Sequence, residues 1–374
     1  MIDSVIYVGI DVHKDTNSVC MYDRQDNAFF AEAKLDAGTD IMVKYLKKAM
    51  KDYGITSESQ FLLGYEAGPT GYGLCRGLKK HGFDCVIMAP TTIKKSSGDK
   101  VKTDRKDARL LSITLASDGF RKVYLPDLLD ENTKEFTRTR NTLKEHLKRA
   151  KQNLLSFLLR VGISYPESGN YWTDKHRQWL ESVSFKNKML QLSFDTLWQE
   201  VKDLEAKIAN LDATIEEIAN DERYKDKVDK LVCFTGIQTH TALSIVCEIG
   251  DFKRFATAGQ FSSYLGLCPS QDSSGKTKKY GSITKCGNCR LRLLLTEATK
   301  GIKRSNPYTK SKRLLLRQQG QNPSVIAYAD KGSKRIKQKI AKLEKNGKSA
   351  NVATTAGARE LSCFIWGMMT GNIA

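Results

Sequence analysis

A chain of 374 residues is longer than one hydrophobic core ordinarily spans, so two or three domains are expected. The net charge of +19 is concentrated at one end: residues 231–374 carry 24 lysines and arginines against 7 acids, whereas residues 1–127 carry 19 against 17 and residues 128–230 carry 18 against 18. A strongly basic end implies a polyanionic partner, nucleic acid rather than membrane. The uncharged run 361–374 is short and broken by glycine, and the first residues lack the basic region of a signal peptide.

Taken in chain order, Val5 to Ile10 is an apolar, β-branched run ending at Asp11, which predicts a buried strand with a carboxylate at its tip. Val19 to Tyr22 and Ala28 to Ala33 predict two more strands joined by a turn at Asp23 to Asn27, and Asp40 to Tyr53 has helical periodicity. Phe61 to Tyr65 predicts another buried strand, ending in Glu66. A helix over Thr70 to His81 and a strand over Cys85 to Met88 follow. Three strands and then alternating helix and strand give an α/β domain of ribonuclease-H-like order, with a largely parallel core sheet and an antiparallel edge.

Asp104 and Asp107 open the next helix three residues apart, on one face. Acids at a helix start have an ordinary explanation in the helix dipole, and a ligand role is the alternative. Leu129 to Val161 reads as a long helix, and Leu197, Val201, Leu204, Ile208, Leu211, Ile215 and Ile218 step by alternating fours and threes. That spacing predicts a coiled coil, either an internal hairpin or a dimer seam, with an irregular connector over Gly162 to Leu192. Arg138, Arg140, Lys144, Lys148 and Lys151 line the first helix as a solvated or nucleic-acid-contacting face. Val232 to Glu248 predicts two helices turning at Gly236, the shape of a phosphate-binding helical hairpin. Further helices are expected over Leu291 to Thr299, Lys331 to Lys348 and Ala353 to Met369.

Gly266 to Arg292 holds Ser273 and Ser274 in an expected turn, followed by Lys276, Lys278, Lys279, Lys285, Arg290 and Arg292. Read as residues, either serine is a candidate nucleophile toward a phosphodiester, with the cations as phosphate holders. Cys286 and Cys289 have the spacing of half a zinc site with no second pair to complete it. The nine scattered cysteines suit reduced thiols in a cytoplasmic protein. In a sheet of this order the strand ends at Asp11 and Glu66 converge with the helix start at Asp104 and Asp107. Four clustered carboxylates require cations, and Mg²⁺ or Mn²⁺ are the natural choices for oxygen ligands.

The motifs G-I-D-V-H-K at 9–14, Y-E-A-G-P-T-G at 65–71 and K-T-D-R-K-D-A at 102–108, followed by F-x-S-Y-L-G-L-C-P, S-S-G and I-T-K-C-G-N-x-R-L-R, resemble the DEDD transposases of the insertion sequence 110 family. Related site-specific DNA invertases share the pattern. The resemblance implies an RuvC-like domain over residues 1–127 with Asp11, Glu66, Asp104 and Asp107 as Mg²⁺ ligands. It implies a coiled-coil part over 128–229 and a basic transposase domain over 230–374. The serine before the glycine, Ser274, then attacks DNA and forms a covalent phosphoserine link. By the same resemblance each active site is expected to be assembled from different subunits of a dimer or tetramer joined through the coiled coil, and a structured bridge RNA is expected to select donor and target DNA, in the bacterial or archaeal cytoplasm at the nucleoid. Transposition, inversion by the same fold, and hydrolysis as a resolvase or nuclease remain the three outcomes. Two departures from the pattern are Thr235-Gly236-Ile237-Gln238, where the family has P-G-I-G, and the cysteine pair of K-C-G-N-C.

Overall fold

The computed structural model describes residues 5–93, 103–167, 169–274, 277–306 and 308–373, and the side chains of 273–278 lie outside this description. The chain divides into two compact units, Met1–Pro126 and Asp127–Ala374.

In the first unit, strands β1 (Ile6–Val12), β2 (Thr16–Asp23), β3 (Ala28–Asp36), β4 (Phe61–Glu66) and β5 (Asp84–Met88) form one sheet in the order β3-β2-β1-β4-β5. β1, β4 and β5 run parallel, and β2 and β3 add antiparallel to the β1 edge. This is the mixed ribonuclease-H-like sheet that the order of elements predicts. Helices α1 (Thr39–Tyr53), α2 (Gly73–Lys80) and α3 (Asp104–Ala116) complete the unit. Strand alternation sorts the side chains by face. Ile6, Val8, Ile10, Phe61, Leu63 and Tyr65 join a core with Met42 and Leu46 of α1 and Leu78 of α2. Tyr7, Leu62, Val86 and Met88 point the other way, against Leu111 and Leu115 of α3.

Two glycines let α3 lie close to the sheet. A Cβ on Gly9 would stand 2.1 Å from the carbonyl oxygen of Ala108 and 2.4 Å from the backbone nitrogen of Ser112, and one on Gly64 would meet the Leu115 side chain at 2.6 Å. The sheet surface under α3 is therefore bare at those two points.

The second unit opens with an arm. Helices α4 (Leu128–Arg160) and α6 (Lys188–Ala219) are joined through α5 (Asp174–Ser182), a helix inside the connector expected to be irregular. Bidentate Arg140–Asp212 bonds of 2.8 and 2.9 Å and a Lys151–Glu205 pair of 2.6 Å fix α4 and α6 antiparallel. Of the heptad series, Val201, Leu204, Ile208 and Ile215 are buried, and the stripe packs within the chain. His176 closes the connector, fully buried among Tyr165, Tyr171, Trp172 and Trp179.

The remainder is helical around one core: α7 (Glu222–Leu231), α8 (Thr239–Ile249), α9 (Ala258–Tyr264), α10 (Cys289–Arg304), α11 (Lys312–Gln318), α12 (Pro323–Lys345) and α13 (Ala350–Thr370). The first helix of the expected 232–248 pair lies upstream, ending at Leu231, because Val232, Cys233 and Phe234 are drawn into the core as a turn. Gly236 is explained by packing. Its φ is +85°, and a Cβ there would stand 2.2 Å from the carbonyl oxygen of Ala298 on α10. The expected turn at Ser273 and Ser274 is instead the end of a strand: β6 (Pro269–Ser274) pairs antiparallel with β7 (Thr277–Ile283) as a two-stranded ribbon.

Candidate active site

Pairing places Asp11 and Glu66 side by side. In the parallel register Ile10 stands opposite Tyr65, so the next residues on each strand are Asp11 and Glu66. Each lies two residues beyond a glycine that faces α3, Gly9 and Gly64, so both carboxylates point to the α3 face. α3 begins there: Thr103 caps it by accepting from the backbone N–H of Lys106, and Asp104 and Asp107 form its first turn.

The tightest convergence joins Asp11, Asp104 and a third residue, His13. One donor atom from each lies within 4.8 Å of the other two. His13 Nε2 stands 3.1 Å from Asp11 Oδ2 and 3.7 Å from Asp104 Oδ1. Glu66 and Asp107 fall outside this tight group, although Asp107 is close enough to act on Asp11. Burial pushes the Asp11 carboxyl above its ordinary pKa, His13 pulls it back, and Asp107 and Asp104 push it up again.

Strand β3 supplies further charges that the sequence did not single out. Ser18 pairs with both Asp11 and Lys34, so these three share a row on the α3 face. Lys34 Nζ stands 3.0 Å from Asp104 Oδ2 and holds that carboxyl below the usual carboxylate range. Glu32, two residues earlier on β3, receives ion pairs from Arg105 and Arg109. A bulge between Val19 and Met21, with Ala31 at φ +46°, sets Glu32 and Lys34 on this face. The signal for His13 was in the sequence, in its place two residues beyond Asp11; the bulge had no comparable signature.

Two carboxylates and an imidazole at these separations form an oxygen-rich donor set suited to a hard divalent cation. Asp11 and Asp104 bring like charges together at these separations, which such a cation would balance.

The serine ribbon is anchored at its base. Thr284 N–H donates to the Cys268 carbonyl at 2.9 Å, and Lys285 N–H to that of Gly266 at 3.1 Å. Gly287, at φ +82°, approaches Tyr264 so closely that a Cβ would lie 2.0 Å from its carbonyl oxygen. The L-G-L-C-P and T-K-C-G-N motifs thus interlock backbone to backbone. Asn288 caps α10, accepting from the N–H groups of Arg290 and Leu291, and donates to Glu248 Oε2 at 2.6 Å. Glu248, whose side chain is 4% exposed, also accepts two bonds from Arg138, at 2.6 and 3.0 Å.

The nucleic-acid residues named from sequence divide accordingly. Lys279, Lys285 and Arg290 are exposed. Arg292 is a structural clamp: its Nη1 donates to the carbonyls of Leu265, Cys286 and Gly287, each at 3.1 Å. Ser274 is described only as backbone paired with Thr277, Lys276 lies outside the described residues, and the side chains of Ser273, Ser274 and Lys278 lie outside them too. Along α4, Arg138, Arg140 and Lys151 are spent on ion pairs, while Lys144 and Lys148 are exposed. Cys286 and Cys289 are exposed free thiols. No helix among the described residues is long and apolar enough to cross a membrane.

Residues 229–313 match the model of the transposase IS116/IS110/IS902 family, and residues 8–163 match a transposase model of the DEDD IS110 type. The transposase for insertion sequence element IS1533 of Leptospira borgpetersenii is 33% identical over 91% of this chain and 96% of its own length. A putative transposase, y4qE, of Sinorhizobium fredii is 32% identical over 96% and 87%. The transposase for insertion sequence element IS1111A of Coxiella burnetii is 21% identical over 87% of each.

Proposed function

The chain belongs to the IS116/IS110/IS902 family of transposases, enzymes that cut and rejoin DNA, and on that premise we propose that it does so through a covalent phosphoserine link made by Ser274. The reading is supported above all by the convergence of Asp11 and Asp104 where a strand end meets a helix start, with Glu66 and Asp107 on the same face. Asp11, Glu66, Asp104 and Asp107 would hold Mg²⁺ or Mn²⁺, which when bound lowers the pKa of a nucleophilic hydroxyl and stabilises the charge on a reacting phosphate. Ser274 Oγ gives up its proton and attacks the phosphorus, the P–O bond to one strand end breaks, and the departing oxygen takes up a proton to leave as a free hydroxyl. Because the phosphodiester's energy is stored in the serine ester, a second hydroxyl can reverse the step and rejoin strands without ATP. Lys279, Lys285 and Arg290 on and beside the ribbon suit the DNA backbone.

By the same reading the protein works in the cytoplasm as a dimer or tetramer joined through the α4–α6 arm, with the serine of one subunit serving the carboxylates of another. A bridge RNA shares the basic C-terminal surface with DNA. Covalent trapping tests the chemistry. Labelled element-end DNA and Mg²⁺ should yield a protein–DNA adduct with wild type and with Ser273→Ala, and none with Ser274→Ala or Asp11→Asn. Cleavage that survives Ser274→Ala without an adduct would establish hydrolysis instead.

A further inference from the structure

We infer that His13 is itself a ligand of the metal centre, binding the cation through Nε2 beside Asp11 and Asp104, and that this nitrogen biases the site toward Mn²⁺. The inference rests on the proposed metal centre and adds a donor of a different element to its four carboxylates.

Position comes first. His13 follows the end of β1, two residues beyond Asp11, and its backbone N–H donates to the Thr16 carbonyl at 3.0 Å in the tight return to β2. The ring is thereby held at the mouth of the carboxylate cleft, half exposed. Distances come second. Neighbouring ligands on a six-coordinate ion with bonds of about 2.1 Å are separated by ~3 Å. The 3.1 Å between His13 Nε2 and Asp11 Oδ2 already matches that spacing, and the 3.7 Å to Asp104 Oδ1 needs only a small closure. The third observation is the division of labour on Asp104: Lys34 engages Oδ2 at 3.0 Å, and Oδ1 is the oxygen turned toward His13.

The chemistry follows from the donor type. Mg²⁺ takes oxygen ligands and gives up its waters reluctantly; Mn²⁺ shares its liking for carboxylates but, as a first-row transition ion, accepts an imidazole nitrogen more readily than Mg²⁺ does, so the bias is one between these two ions. In the bound form the Nε2 lone pair would face the metal with the ring's proton on Nδ1, so the direct His13–Asp11 hydrogen bond is replaced by a shared ion.

The test is pulsed electron paramagnetic resonance of Mn²⁺ bound to the full chain, with Mn²⁺ and Mg²⁺ affinities measured beside it. Wild type should show ¹⁴N modulation from a directly bound imidazole. His13→Ala, an exposed position whose fold is checked by circular dichroism, should still bind Mn²⁺ but without that modulation. Its Mn²⁺ affinity should fall about tenfold or more and its Mg²⁺ affinity by less than about threefold. Asp11→Asn should weaken both ions. If Mn²⁺ binds in an Asp11-dependent way with no ¹⁴N modulation, or the modulation persists in His13→Ala, the ligand assignment is overturned while the carboxylate centre stands. If no Asp11-dependent Mn²⁺ binding occurs, the metal centre itself falls, and the inference with it.

Discussion

Replacing Gly9 by alanine should unseat α3 and, with it, the start of the active-site helix. The added Cβ would sit 2.1 Å from the Ala108 carbonyl oxygen and 2.4 Å from the Ser112 nitrogen, both backbone atoms that cannot rotate aside. Restoring ordinary contact requires moving the helix by about an ångström, and overpacking of this kind costs typically 1–3 kcal/mol. For a unit of this size that is a fall in Tm of roughly 4–12 °C. The displacement also carries Asp104 away from Asp11 and His13, so Mn²⁺ affinity should fall even at temperatures where the variant is folded. Gly73→Ala is the paired control, because a Cβ at that helical position meets nothing within 4 Å and the change should be neutral or slightly stabilising. Calorimetry and Mn²⁺ titration of wild type and both variants make the comparison. If Gly9→Ala matches wild type in both, the close approach of α3 to β1 is not what positions the site.

Glu248→Ala should cost about 1–3 kcal/mol in urea unfolding, because it removes two of the Arg138 guanidinium's bonds and the Asn288 side-chain amide's acceptor; the figure is set below that of a fully buried pair because Arg138 is 28% exposed and keeps its 2.7 Å pair with Glu135. Arg292→Ala should lower Tm while leaving the salt dependence of DNA binding unchanged, whereas Lys285→Ala or Arg290→Ala should each reduce the slope of log K against log salt by about 1. His240 is pushed down to about 4 by burial and the nearby Arg140, so the unfolded chain binds its proton first. Stability should therefore decline as pH falls from about 6.5 to about 4, by an amount on the order of 2–3 kcal/mol, and His240→Gln should flatten that part of the profile. If sites are shared between subunits, assemblies mixing Ser274→Ala with Asp11→Asn should regain adduct formation that neither variant shows alone, as read by covalent trapping.

Much of the first unit was legible because each strand carries its own message. Val5 to Ile10 is apolar and β-branched enough to be buried on both sides, and the acids that end β1 and β4 stand where the apolar pattern stops. The heptad series of α6 was equally plain, being a periodicity in one residue class. What escaped depends on pairing. Glu32 and Lys34 reach α3 only because Ala31 forms a bulge, and no local composition distinguishes β3 from an ordinary edge strand. The ribbon of β6 and β7 was hidden because serine and glycine favour turns and lysine is depleted in strands. What holds its base is a set of backbone contacts between Gly266, Gly287 and their neighbours, invisible to side-chain patterning. Arg292 looked like its cationic neighbours because a charge in the sequence does not reveal which carbonyls it will meet.

The way α3 is fastened has a consequence for handling the protein at the bench. Its later turns are held by Leu111 and Leu115 against the sheet, but its first turns are tied to β3 through Glu32 with Arg105 and Arg109 and through Lys34 with Asp104. A protein with a charge of +19 invites strong salt during purification to strip adhering nucleic acid. At 1 M salt the screening length is only about 3 Å, so the exposed Arg105 and Lys34 tethers weaken while the apolar ones do not. Preparations kept in such buffers would look fully folded by spectroscopy yet present a slackened helix start, and metal affinities recorded there would understate those at the ionic strength of a cell.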